Sequence, residues 1–233
     1  MKHHFSAFID DLRQTHGRNL VSVILFGSAA AGDFVPEASD YNMLVALEKI
    51  TPADLRNAQP AIREWVRLGN PTPIYFTVSE LQNAADVFPI EFHQMSLARK
   101  VLFGPDVLAG LNISDKFLRL QAEYELRSKL IQLRRAYIPA SGSVDGLKAL
   151  MANSLPSFAA LFRAVLIVKG MTPPTTKREI VKMTAQNVGI DGLPFEKVFN
   201  IRENNFTEKL DEKKANELFG QYMEQIETVI CAV

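Results

Sequence analysis

Two short stretches of the 233-residue chain carry residue types whose order and spacing could do chemistry. The first is Leu25-Phe26-Gly27-Ser28-Ala29-Ala30-Ala31-Gly32-Asp33. An apolar run leads into Gly-Ser, and a helical turn is expected to begin there. Glycine lets the backbone approach a ligand closely, a helix start offers free N–H groups, and Ser28 adds a hydroxyl. Gly27 and Ser28 therefore read as a phosphate cradle. The second stretch is Ser39-Asp40-Tyr41-Asn42-Met43-Leu44-Val45. On a strand, positions 40 and 42 point to one face, about 7 Å apart. Two acids so placed would repel unless a divalent cation lay between them. Mg²⁺ held in this way bridges to triphosphate oxygens and stabilises in-line transfer of a nucleotidyl group. Here the second position is Asn42, a neutral oxygen ligand that supplies no charge. Asp40 with Asn42 thus predicts Mg²⁺ binding that is weak or dependent on the nucleotide.

Other residues invite the same comparison of a chemical role with a structural one. Asp86 and Glu91 flank Phe88-Pro89, and residues 90–93 read as a short edge strand beside the third strand. Glu91 is then a speculative further acid for the site, set against a solvated acid on an edge. His93 is a proton shuttle or a packing residue, and Asp33 a metal ligand or a solvated turn residue, the structural role being favoured for both. Arg127, Lys129, Arg134 and Arg135 could pair with phosphates, but with Glu123 and Glu125 they read better as an exposed helix face. Tyr124, Phe158 and Phe162 read as core packing. Cys231, the single cysteine, excludes an internal disulfide and a thiolate metal site and reads as a small apolar residue on a terminal helix.

The elements that must position these groups are legible from apolar runs and breakers. Residues 5–16 have helical spacing. Residues 20–26, 41–47 and 74–78 are short apolar runs that read as buried strands. Residues 52–68 read as a helix capped by Thr51 and closed by Gly69. Residues 97–103 lead into the breaker Gly104-Pro105. From Lys116 the pattern is helical: a long first helix, a loop over 139–146, one or two helices over 147–169 split or kinked at Pro156, and helices near 177–188, 194–202 and 212–231. Strands first and helices afterwards predict an α+β fold, a mixed sheet with flanking helices followed by a helical bundle, with a boundary near Ser114. The expected domains are residues 1–114 and 115–233.

Composition excludes some partners. Lys plus Arg equals Asp plus Glu at 26 each, so no bulk pull toward nucleic acid is expected. The apolar stretches read as too short for a bilayer, no signal peptide is visible, and a cytoplasmic protein is expected.

The pattern resembles the signature of the nucleotidyltransferase superfamily: Gly-Ser, about ten residues, then Asp-x-Asp or Asp-x-Glu on a strand. Minimal nucleotidyltransferases and aminoglycoside nucleotidyltransferases are among its members. Gly27, Ser28, Gly32, Ser39 and Asp40 match; Asn42 departs. The resemblance implies a third acid on the third strand, and it places Tyr75 where the general-base glutamate of the aminoglycoside enzymes would sit. Residues 102–105 and the helical second half are also similar to that group. The resemblance implies transfer of a nucleoside monophosphate from a nucleoside triphosphate to a hydroxyl on a small molecule or protein. The departures at Asn42 and Tyr75 imply the alternative of a degenerate relative, a nucleotide-binding or protein-interaction module, with a homodimer as one form.

Overall fold

The computed structural model describes residues 2–32, 40–83 and 85–233. The chain divides into two compact units, Met1–Ser114 and Asp115–Val233.

In the first unit, helix α1 (Lys2–His16) precedes strand β1 (Leu20–Phe26), which runs through Gly27 into a single helical turn, α2 (Ser28–Ala31). Strand β2 (Asn42–Leu47), helix α3 (Pro52–Arg67), strand β3 (Ile74–Thr77), helices α4 (Val78–Asn83) and α5 (Pro89–Leu97) and strand β4 (Arg99–Phe103) follow. The strands form one mixed sheet in the order β3-β2-β1-β4. β1 is antiparallel to β2 and β4, whereas β2 and β3 are parallel. A parallel pair needs a crossover, and α3 supplies it. That helix starts at a reciprocal cap, in which Asp54 N–H donates to the Thr51 hydroxyl and Thr51 N–H donates to the Asp54 carboxylate.

Both faces of the sheet are covered, which is why β1 and β2 are continuous apolar runs rather than alternating ones. Val23, Leu25, Met43, Val45 and Leu47 pack with Phe8, Leu12 and Trp65 of α1 and α3. Phe8 and Trp65 stack at 4.5 Å, and the Trp65 indole N–H donates to Pro71 O at 3.0 Å. Ile24, Leu44 and Ala46 pack on the other face with Leu81 of α4 and with Phe92 and Met95 of α5. The expected edge strand over 90–93 is instead part of α5, with Pro89 in its first turn, where a missing N–H costs nothing.

The second unit is helical throughout its regular structure. It contains α6 (Leu118–Ala140), α7 (Val144–Val168), α8 (Lys177–Val188), α9 (Leu193–Arg202) and α10 (Glu212–Cys231). α7 contacts each of the other four helices and buries residues around most of its circumference, among them Leu147, Met151, Phe158, Leu161, Phe162 and Val165. By length and hydropathy α7 is long enough to cross a bilayer, contrary to expectation, yet 56% of its most apolar window is buried, as befits the central helix of a bundle. Pro139 and Pro156 both lie inside continuous helices, so the loop is shorter than expected and α7 is not split. Tyr124 departs from the expected core set: Phe158 and Phe162 are buried, but Tyr124 is 67% exposed.

Candidate functional site

The sequence-predicted cradle is built where β1 ends. Gly27 has φ 80° and ψ −151°, a conformation essentially reserved for glycine. Its N–H donates to Ala98 O at 3.1 Å, just before β4. Its carbonyl accepts from the N–H groups of Ala30 and Ala31 at 3.0 and 2.9 Å, closing the single turn of α2. Gly32, at φ 79°, ends that turn.

Asn42 is brought against this turn. Phe26 and Asn42 are paired across β1 and β2, so their side chains share a sheet face. The Asn42 side-chain nitrogen lies 3.4 Å from where a Cβ on Gly27 would stand. The backbone angle therefore requires a glycine, and a Cβ there would stand in van der Waals contact with the Asn42 amide. Gly27, Ser28 and Asn42 form one small constellation at the ends of the two central strands.

Asp40 is placed differently from expectation. β2 begins at Asn42, and Asp40 is an exposed residue in the irregular chain before it. Ladder alternation therefore does not fix its side chain beside that of Asn42. Asp33 and Ser39 lie outside the described residues.

The third strand corrects the expectation for Tyr75. Val45 pairs with Tyr75 and Ala46 with Phe76. Tyr75 accordingly packs with Val45 and the α1/α3 cluster, on the face opposite Asn42. Burial pushes its phenol up to about 12, so it stays protonated at neutral pH. On the Asn42 face β3 presents Ile74 and Phe76, neither able to take a proton. Ile74, 42% exposed at the strand's start, was missed in the sequence because only the strand register reveals which face it occupies.

Glu91 lies in the first turn of α5 and is exposed. Its helix covers the sheet face that carries Asn42, through Phe92 and Met95, so its position rests on a helix and not on an edge strand. Asp86 is an exposed turn residue and His93 a half-buried one on α5. Arg127 pairs with Glu123 at 2.9 Å and Arg134 with Glu227 at 2.8 Å, in keeping with an exposed helix face. Cys231 ends the terminal helix α10 and is exposed.

Among the described residues no group of three or more His, Cys, Asp or Glu side chains is assembled that could hold a metal ion. Among the described residues, the sequence-predicted ligands Asp40 and Asn42 supply one carboxylate and one amide. That set does not fit a divalent cation held by the protein alone, which draws on several oxygen ligands and usually more than one carboxylate.

No family model matches the chain, and no curated protein matches it. Its fold is similar to the crystal structure of the spectinomycin adenyltransferase AAD(9) from Enterococcus faecialis, determined with ATP and spectinomycin. The TM-score is 0.62 at 14% identity, over 97% of this chain and 99% of that one. The likeness establishes a nucleotidyltransferase-like α+β fold followed by a C-terminal helical bundle.

Proposed function

We propose that the first unit binds a nucleoside triphosphate, with Gly27 and Ser28 against its phosphates, and that nucleotidyl transfer to a hydroxyl acceptor is strongly attenuated or lost. The observation that carries this reading is the Gly27 turn, held open by a glycine-only conformation with Asn42 packed beside it. A fold shared with an adenyltransferase crystallised with ATP supports it. Attenuation is argued from the donor set. Asn42 supplies no charge, and the β3 residues on its face cannot accept the proton that an acceptor hydroxyl must lose. With uncharged Asn42 in place of a second acid two residues after Asp40, the site would hold Mg²⁺ only together with a triphosphate that brings its own charge. A small molecule or a protein segment is the acceptor class if transfer occurs.

Isothermal titration with ATP, GTP, CTP and UTP, with and without Mg²⁺, tests the reading. Binding of at least one triphosphate is expected, weakened by Asp40→Ala and strengthened about tenfold or more by Asn42→Asp, which restores a charged ligand. If neither wild type nor Asn42→Asp binds any triphosphate at millimolar concentration, the turn is not a nucleotide site. Transfer of label from an α-labelled nucleotide at ordinary enzyme rates would refute the attenuation, and Glu91 would be the first acid to mutate.

A further inference from the structure

A second surface of the molecule is unexplained by that reading. Phe117, at the start of α6, and Leu120, Tyr124, Arg127, Ile131, Arg134 and Ile138 along it recur at alternating intervals of three and four residues. This is the 3.5-residue repeat with which one helix presents a seam to another. It is not the face α6 uses within its own unit: Leu118, Ala122, Leu126, Leu130 and Leu133 are buried there. The seam is exposed, with Leu120 at 70%, Tyr124 at 67%, Ile131 at 56% and Phe117 at 47%. Several large apolar groups aligned on one exposed stripe mark an interaction site rather than scattered surface residues.

The composition of the stripe selects its partner. Alongside a second α6 in parallel, Arg127 would meet Arg127 and Arg134 would meet Arg134, with no aromatic ring opposite either guanidinium. Run antiparallel about a two-fold axis, the same stripe becomes self-complementary. In one register Phe117 faces Arg134 of the second copy, Leu120 faces Ile131, and Tyr124 faces Arg127, and the two-fold repeats each layer. Each arginine then lies against an aromatic ring, a favourable cation–π arrangement, and the aliphatic residues meet each other. The carboxylates of Glu123 and Glu227 already pair with the edges of these guanidinium groups, which neutralises them and leaves their planar faces free to stack.

We propose that the α6 stripe is a self-association surface, on which a second copy of this chain docks through its own α6 in antiparallel orientation. A seam of one helix pair is small beside standard interfaces, so the dimer should be weak and concentration-dependent.

Sedimentation velocity on the full chain, from about 1 to about 100 µM, reads this out. A monomer–dimer equilibrium is expected, with Leu120→Glu and Ile131→Glu each raising the dissociation constant at least about tenfold while circular dichroism stays unchanged, since both side chains are exposed. Orientation is read by oxidation in a Cys231→Ser background. An equal mixture of Leu120→Cys and Ile131→Cys chains should cross-link. Either variant alone should not, because eleven residues of helix, about 16 Å, separate like positions in the antiparallel register. A chain that stays monomeric at 100 µM, or a dimer indifferent to both glutamates, overturns the proposal; cross-linking of Leu120→Cys with itself overturns the antiparallel register.

Discussion

At the scale of single residues, Gly27 and His16 make the most testable demands. Gly27→Ala places a side chain at φ 80°, ψ −151° and against the Asn42 amide. It should cost about 1–3 kcal/mol of stability, read from denaturant midpoints, and it should abolish triphosphate binding even in the fraction that remains folded. Loss of stability with binding retained would separate the turn from the ligand. His16 is a different case. Its ring nitrogens and the Tyr75 hydroxyl are buried with no hydrogen-bond partner among the described residues, the two rings lying 5.9 Å apart. Burial lowers the His16 pKa from 6.5, against an opposing pull from Asp54. The unfolded chain therefore takes up the proton first as pH falls. The contribution of neutral His16 is fully present above the unfolded value of 6.5 and is lost as pH drops from there toward the lower folded value. Urea midpoints should decline across that window in the wild type, and His16→Phe should remove this part of the slope. An unchanged slope in the variant would assign it to other groups.

At the scale of elements, the sheet depends on how β4 closes against β1. Ser22, fully buried on β1, donates to Pro105 O at 2.7 Å and lies 3.1 Å from Phe103 O. Gly104 has φ 73°, and a Cβ there would stand 1.9 Å from the Val21 carbonyl oxygen. No rotamer relieves a clash between backbone atoms. Gly104→Ala should destabilise by about 2–4 kcal/mol, and Ser22→Ala by about 1–3 kcal/mol through the unpaired carbonyl. Hydrogen exchange of the β1 and β4 amides should accelerate in both variants, and an unperturbed Gly104→Ala protein would contradict the geometry. The breaker Gly104-Pro105 was legible in the sequence, as were β1, which ends at Gly27, and β3, which follows Pro73; the β2 run was legible as a short apolar stretch between Asp40 and Glu48-Lys49. What was not legible depended on partners distant in sequence. Four residues, 90–93, cannot distinguish strand from helix by period alone, and the informative signal was Pro89 at a helix start. Tyr75 and Ile74 could not be assigned to faces until β3 was registered on β2. Asp40 fell outside its strand because the apolar run begins only after it, which left Asn42 as the ladder's first residue. Tyr124 kept helical spacing with the core, but it lies on the opposite flank of α6.

At the scale of the whole molecule, the two units differ in what holds them together. The first relies on a sheet covered on both faces, with Trp65, Phe8 and the β1 and β2 side chains on one face and Phe92 and Met95 on the other. The second relies on α7, whose Phe158 and Phe162 meet Tyr222 and Phe195 edge-on, at centroid separations of 6.4 and 5.6 Å. Units with cores of their own can unfold separately unless the interface between them is large and apolar. Thermal unfolding is therefore expected in two transitions, each movable by substitutions in one core. Phe162→Ala, which empties a fully buried site in the bundle, should lower one transition by the equivalent of about 3–5 kcal/mol. Gly104→Ala should lower the other. A nucleoside triphosphate, bound by the first unit alone under the reading above, should raise only the transition that Gly104→Ala lowers. Differential scanning calorimetry of the wild type and the two variants, with and without the triphosphate found to bind, distinguishes the outcomes. A single transition that both substitutions lower together would mean that the units form one cooperative body, and the assignment of nucleotide stabilisation to the first unit would then have to rest on hydrogen exchange near Gly27.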